Sequence, residues 1–431
     1  VKRNLLWILA VAVLGAVVFF AGAHRPEIAP VEPPAMASFT ADLIARGEIL
    51  TTAGNCESCH TTAEDRHFAG GLGIATPFGT IFTSNITPDP ATGIGRWSEA
   101  AFARALHEGV ARDGSQLYPA FPFDHFTRVT DADVRALYAY LMTRAPLSSS
   151  PPPNTVPFPL NIRALQWGWK LLFFRQGVYR PDTAKSEAWN RGAYLSEGLA
   201  HCGACHSPRN ALGASKGGSH AYAGGTVDGW EAPALTDAST APLPWTEDEL
   251  YGFLRSGGTA LHGVAAGSMS EVIHVGLAKL PDADIRAIAT YFADLNGASG
   301  RNGSSDEVLA KAMTASGLGT RDEQDPGASL YQAACASCHY NSGSTPLAAR
   351  PELALNSALT ASEPTNLVQV VLHGIGLKEG EPGLFMPPFA HLSDADIANL
   401  SAYLRRTRTD RAAWTDLEAK VAAVRKGGSG S

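Results

Sequence analysis

Six cysteines stand in three pairs, each followed at once by a histidine: Cys56-Glu-Ser-Cys59-His60, Cys202-Gly-Ala-Cys205-His206 and Cys335-Ala-Ser-Cys338-His339. This C-x-x-C-H pattern is that of c-type haem attachment. The two thiols bond to the two vinyl groups of one haem, and the next residue's imidazole reaches the iron as proximal ligand. A zinc site would use two such pairs and leave the third over. A redox dithiol needs no histidine, and a disulfide across two residues closes a strained loop. With 13 histidines in 431 residues, chance would place one after all three pairs roughly 3 times in 100,000. Three haems c are therefore expected, on Cys56, Cys59, Cys202, Cys205, Cys335 and Cys338, with His60, His206 and His339 as iron ligands.

The sixth ligand sets the potential, and a histidine–methionine pair sets it high. A methionine is expected in a loop ahead of the last helix of each haem-carrying segment. Among five methionines, Met269 and Met386 are so placed, whereas Met36, Met142 and Met313 read as structural. Core packing is the plain alternative for both ligand candidates. In the first segment the matching loop, Tyr118-Pro-Ala-Phe-Pro-Phe-Asp-His125-Phe126, carries Phe121, which cannot bind iron. His125 is the expected ligand there, with an open iron as the alternative. His107 is a rival, but Leu106-His107-Glu-Gly109 aligns with Leu372-His373-Gly374, so it reads as a partner of a helix C-terminus. His67, His220, His262, His274 and His391 are expected on surfaces or loops, and His201 near a haem edge. Pro77 and Pro233 follow their motifs at similar distances and are expected beside the proximal histidines. Trp97, Trp245 and Arg209 are expected to reach haem propionates through N–H donors. Ordinary packing or solvation is the alternative for these five.

Helices must hold these residues in place. Three near copies follow the motifs: Asp131-Ala-Asp-Val-Arg-Ala-Leu-Tyr-Ala-Tyr-Leu141, Asp282-Ala-Asp-Ile-Arg-Ala-Ile-Ala-Thr-Tyr-Phe292 and Asp394-Ala-Asp-Ile-Ala-Asn-Leu-Ser-Ala-Tyr-Leu404. Val134, Leu137, Tyr138 and Leu141 share one helical face. Thr130 with Asp133, and Ser393 with Asp396, read as capping boxes. Ala69-Gly70-Gly71 matches Ala223-Gly224-Gly225, and Trp97-Ser-Glu99 matches Trp245-Thr-Glu247; the third unit lacks both. Three tandem all-α domains are expected, over residues 39–148, 187–296 and 323–410. A Pro-rich linker at 149–186, a Gly/Ser-rich flexible linker at 297–322, a helix at 411–426 and a Gly/Ser tail of synthetic type at 427–431 complete the plan.

Net charge is −7, which excludes the basic surface of a nucleic-acid binder. Lys2 and Arg3 precede the apolar run Leu5–Ala23, so residues 1–23 read as an export signal or anchor. Nineteen residues rise ~28 Å, about one hydrocarbon core, and the run exceeds a usual signal core, which favours a retained anchor. Either reading carries the remainder to the periplasm. Between the first two domains, the segment Arg163–Arg175 mixes tryptophans, apolar residues and flanking cations. It is too short to span, and fits a helix on the bilayer surface, a partner docking site or a packed helix.

With Gly70-Gly-Leu-Gly-Ile-Ala-Thr-Pro-Phe-Gly79, Ser84-Asn-Ile-Thr-Pro-Asp89, Trp189-Asn-Arg-Gly-Ala-Tyr194 and Cys202-Gly-Ala-Cys-His-Ser-Pro-Arg209, nearly the whole chain resembles the three-haem cytochrome c subunits of bacterial membrane-bound dehydrogenase complexes. The resemblance implies three tandem class I cytochrome c domains behind one N-terminal transmembrane helix, at the periplasmic side of the inner membrane. It implies a relay of electrons from a periplasmic catalytic subunit to ubiquinone, with no substrate chemistry on this chain. Tyr118-Pro-Ala-Phe-Pro122 and Ala260-Leu-His-Gly-Val264 look most like the molybdenum-type aldehyde dehydrogenase branch, whose catalytic part carries molybdopterin and an iron–sulfur subunit. A partner with pyrroloquinoline quinone (alcohols) or flavin (sugars, polyols) is the alternative; those branches usually carry methionine where Phe121 stands. From another class, the chain could be a haem peroxidase with an open first haem, although no acid/base pair beside a distal site is evident.

Overall fold

The computed structural model describes residues 2–297, 303–317, 324–340, 351–376 and 385–428. The described chain is mainly helical and divides into two compact units, Val1–Lys185 with Ala193–Ala204, and Ser186–Gly192 with Cys205–Ser431.

In the first unit, α1 (Lys2–Ala23) is a 22-residue apolar helix whose side chains are exposed almost throughout. Residues 24–32 then run over the globular part as a strap: the Ile28 N–H donates to Arg112 O and the Val31 N–H to Arg96 O. The Arg104 guanidinium donates to Pro26 O at 2.8 Å, and Arg112 pairs with Glu27 at 2.7 Å. Helix α2 (Ala41–Ala53) is capped by the Thr40 hydroxyl, which accepts from Leu43 N. Then come α3 (Cys56–His60), the hairpin β1 (Gly73–Thr76) and β2 (Gly79–Phe82), α4 (Glu99–Glu108), α5 (Phe123–Phe126), α6 (Asp131–Met142) and α7 (Leu165–Phe173). Leu137, Leu141 and Leu50 lie in the core.

The second unit begins in α8 (Glu187–Glu197) and continues with α9 (Gly203–His206), the antiparallel pair β3 (Gly225–Val227) and β4 (Trp230–Ala232), and α10 (Glu247–Ser256). A two-residue pair, β5 (Gly258–Thr259) and β6 (Gly263–Val264), precedes α11 (Ser268–Glu271) and α12 (Asp282–Leu295). The remaining helices are α13 (Gly303–Gly317), α14 (Pro326–Leu330), α15 (Ala336–His339), α16 (Ser357–Thr360), α17 (Thr365–His373), α18 (Asp394–Arg408) and α19 (Leu417–Gly428).

One helix crossing occurs three times, and a glycine makes each possible. A Cβ on Gly47 would overlap Ala136 O and stand 2.7 Å from Tyr140 Cβ; on Gly192, Ala287 O and 2.9 Å from Tyr291 Cβ; on Gly327, Asn399 O and 2.7 Å from Tyr403 Cβ. In each case the helix before the cysteines lies directly on the backbone of the repeated last helix. An ion pair spans each crossing: Arg46 to Asp133 at 2.6 Å, Arg191 to Asp284 at 2.8 Å, and Asp325, the N-cap of α14, to Arg406 of α18.

Two features differ from the sequence reading. The segment 297–322 is not simply a linker: residues 298–302 and 318–323 lie outside the described residues, but 303–317 form α13. Its Ala312 is buried with Leu243, Ala354 and Leu355. The cause is the i, i+4 pattern of Val308, Ala312 and Ser316, which faces inward. The chain from Cys205 through the third motif also shares one unit, whereas Cys202 belongs to the first. The Asn366 side chain accepts from Glu231 N and donates to Glu231 O, and Gln369 donates to Gly229 O.

Candidate haem-attachment sites

Each motif runs into a short helix: α3 holds all of Cys56–His60, whereas α9 starts at Gly203 and α15 at Ala336, one residue past Cys202 and Cys335. Asn55, in the left-handed conformation at φ 50°, turns the chain from α2 into α3, and its side chain accepts from the Ser58 hydroxyl. His60 Nδ1 lies 2.6 Å from Ser84 O. A carbonyl only accepts, so Nδ1 carries the proton and the lone pair is left at Nε2. His206 has the same arrangement, with Nδ1 2.7 Å from Pro233 O. His339 Nδ1 stands beside the Pro351 backbone, short of a well-formed hydrogen bond. Burial lowers the pKa of all three imidazoles, against the backbone acceptors that raise it, so they are held neutral and able to ligate.

One thiol of each motif is held protonated. Burial pushes Cys56 up to about 12, with the neighbouring Cys59 adding to the effect, and Cys335 up to about 11; Cys205 is also raised, chiefly by burial. Zinc or a reactive dithiol would call for thiolates. Among the described residues, no group of three or more His, Cys, Asp or Glu could hold a metal ion. A site with two cysteines, one of them held as a neutral thiol, and one imidazole suits an iron that brings its own four nitrogens, as in a porphyrin. The residues therefore fit haem c.

The Gly-Gly repeat has a shared task at these sites. Gly70 N donates to His60 O at 2.7 Å, and Gly224 N to His206 O at 2.8 Å. Both glycines have positive φ, 71° and 92°. A Cβ on Gly70 would overlap Ser84 O, the acceptor for His60. Behind Ser84, buried Asn85 fixes the loop by donating to Leu147 O at 2.7 Å and to the Thr92 hydroxyl at 3.0 Å, while its oxygen accepts from Thr87. The acceptor role of Ser84 was not legible in the sequence, because a backbone carbonyl has no residue signature. Pro77 sits in the β1–β2 turn, and Ser84 takes the place beside His60 that a proline was expected to fill.

Met269 lies in α11, directly after Gly267, whose φ of 56° and close approach to the Trp230 indole allow the turn. Met386 pairs with Ile375 through two backbone hydrogen bonds and packs on the core of the last helices. In α5, His125 Nδ1 lies 3.0 Å from Glu197 O, which again leaves the lone pair at Nε2. Its ring centroid is 6.3 Å from that of His201, and Phe121 packs on Phe126. Burial pushes the His201 pKa down to about 4. His107 is committed elsewhere, with Nε2 2.9 Å from Val129 O and Nδ1 3.8 Å from Asp131.

The carbonyl of Trp97 accepts from the Tyr138 hydroxyl. Arg209 donates to Gly213 O at 2.7 Å. Trp245 stacks on His262 at 3.8 Å and 13°. His262 lies in the β5–β6 loop, one of the two places expected for it, but is buried there, with Nε2 3.3 Å from the Glu249 carboxylate. That carboxylate also closes a capping box with Thr246.

Comparison with known proteins accords with this geometry. Residues 44–145 match the cytochrome c family model, and residues 322–404 match that of cytochrome c oxidase, cbb3-type, subunit III. A nicotinate dehydrogenase subunit of Pseudomonas putida is 48% identical over 93% of this chain, which spans only 33% of that relative's length. The fructose dehydrogenase cytochrome subunit of Gluconobacter japonicus is 36% identical over 95% of this chain and 84% of its own length. The gluconate 2-dehydrogenase cytochrome c subunit of Pantoea cypripedii is 38% identical over 89% of this chain and 90% of its own. Three cysteine pairs beside neutral imidazoles, with identity over most of the length of the fructose and gluconate dehydrogenase subunits, imply haem c and place the chain in the family of cytochrome c subunits of dehydrogenase complexes.

Proposed function

We propose that this chain carries three haems c in three tandem domains and relays electrons from a dehydrogenase catalytic subunit to ubiquinone, anchored by α1 with its globular part at the periplasmic face of the inner membrane. The observation that carries the reading is the threefold recurrence of one arrangement: a glycine helix crossing directly before a C-x-x-C-H motif. Covalently held haem supplies a one-electron iron centre. Cys56 with Cys59, Cys202 with Cys205 and Cys335 with Cys338 hold the macrocycles; His60, His206 and His339 present Nε2. Met269, Met386 and His125 are the sixth-ligand residues. The catalytic chemistry belongs to the partner.

A molybdopterin and iron–sulfur partner is favoured over one with pyrroloquinoline quinone or flavin. The resemblance at Tyr118–Pro122 supports this, and the partner oxidises an aldehyde or, like the 48% identical relative, nicotinate. The test is a pyridine haemochrome assay on the protein purified with its complex from membranes. Three haems per chain are expected, falling to two in Cys202→Ala/Cys205→Ala, together with reduction of a ubiquinone analogue by the complex. A count of two in the unaltered chain, or a colourless protein, would reject the reading.

A further inference from the structure

Helix α7 is built inside out for a helix that faces water. Its one cation, Lys170, is buried and donates to Glu108 O at 2.6 Å and to Gly109 O and Gln116 Oε1 at 2.7 Å. The neighbouring Leu171 and Leu172 are instead 57% and 62% exposed. Just before the helix, Phe158 is 79% exposed, and Leu160 and Ile162 are exposed as well. A water-facing surface would show the lysine and hide the leucines.

The inner face of α7 seats on the end of α1. The Trp167 and Phe19 rings meet edge-on at 5.1 Å, and a Cβ on Gly22 would come within 2.5 Å of Trp167. Gln116 joins the two, donating to Ala23 O at 2.9 Å while accepting from Lys170. The exposed leucines of α7 therefore continue the exposed apolar surface of α1, where Leu14, Val17 and Val18 stand out in the same way. Arg175, at the end of the segment, is exposed, and its guanidinium donates to Phe174 O at 2.8 Å, which leaves a cation at the polar edge of this apolar surface.

We infer that Phe158–Arg175 is a second membrane contact, a short interfacial helix that lays Leu171 and Leu172 into the outer leaflet beside the exit of α1. The inference rests on reading α1 as the anchor. Two contacts would fix the tilt of the first haem domain against the bilayer, which one helix free to rotate about its own axis cannot do.

The haem-loaded full chain is reconstituted in phosphatidylethanolamine–phosphatidylglycerol vesicles containing a phospholipid with a diazirine high on its acyl chain, then irradiated and mapped by mass spectrometry. Lipid adducts are expected on residues 158–175 as well as 2–23. Adducts on 2–23 with none on 158–175 would overturn the inference alone. No adducts on 2–23 would overturn the anchor reading and the inference with it. In Leu171→Ser/Leu172→Ser, adducts on 158–175 should fall several-fold, with those on 2–23 and the reduced haem spectrum unchanged; an undiminished yield would count against the lipid seat. Irradiation of membranes holding the assembled complex should again label 158–175. An unlabelled segment there would mean that a protein covers it, and would overturn the inference.

Discussion

At the scale of single residues, the recurring device is an imidazole whose Nδ1–H is tied to a carbonyl. Ser84 O holds His60 in this way and Pro233 O holds His206. His125, tied to Glu197 O, presents its Nε2 by the same logic. If His125 completes the first haem, a bis-histidine iron should have the lowest potential of the three. In a spectroelectrochemical titration, His125→Ala should move that lowest wave by on the order of 0.1 V, within the roughly 0.8 V that axial ligation spans. The other two waves should stay in place, and an unmoved lowest wave would remove His125 from the iron. Lys170 gives a second prediction. Burial lowers its pKa from 10.5 to about 7, the Arg25 charge adds to this, and Glu108 opposes it. Between those values the folded chain has lost a proton that the unfolded chain keeps, so stability rises with pH across that window; below about pH 7 both states are charged and the slope vanishes. Denaturant midpoints of the first unit, followed from about pH 7 to about 10, should climb. Lys170→Met should flatten the climb, and an equal slope in the variant would show that another group titrates.

At the scale of elements, glycine has opposite meanings at two helical sites. Gly192 sits under the Ala287 carbonyl, whereas a Cβ on Gly252 in α10 would meet nothing within 4 Å. Gly252→Ala should stabilise by about 0.5–1 kcal/mol, because a helix interior prefers alanine. Gly192→Ala should cost about 1–3 kcal/mol, as overpacking does, and should loosen the second haem, read as a lower melting temperature of its Soret band. Equal effects would mean that the crossing is not tight. The repeated last helices, their aspartate-rich first turns and the cysteine motifs were legible, because each is written in side chains with a fixed period. The Ser393–Asp396 box forms in full. The Thr130 box forms only by half, because the Asp133 carboxylate is drawn instead to Arg46 and to the Tyr194 hydroxyl at 2.5 Å. Such tertiary partners, like the carbonyls that orient the haem ligands and the inward turn of Lys170, depend on distant chain meeting in space. No local pattern announces them.

At the scale of the whole molecule, the question is whether the second and third motif regions behave as separate beads. A flexible linker between them would make them independent. The core of Leu243, Ala312, Ala354 and Leu355, flanked by Leu261, Val308 and Leu309, draws on both regions and on α13 between them. Leu355 is 1% exposed, so Leu355→Ala should cost about 2–5 kcal/mol, the range for emptying a packed leucine site. Because the cavity would open in a shared core, the loss should reach α10 and α12 as well as α17 and α18. Native-state hydrogen exchange on the haem-loaded chain reads this directly. Protection should fall together over α10, α12, α17 and α18. A fall confined to α17 and α18 would mean that the two regions unfold independently, as domains without a common core would. Joint protection would instead mean that the second and third haems are held in one cooperative body, with the spacing between their irons fixed by that common core.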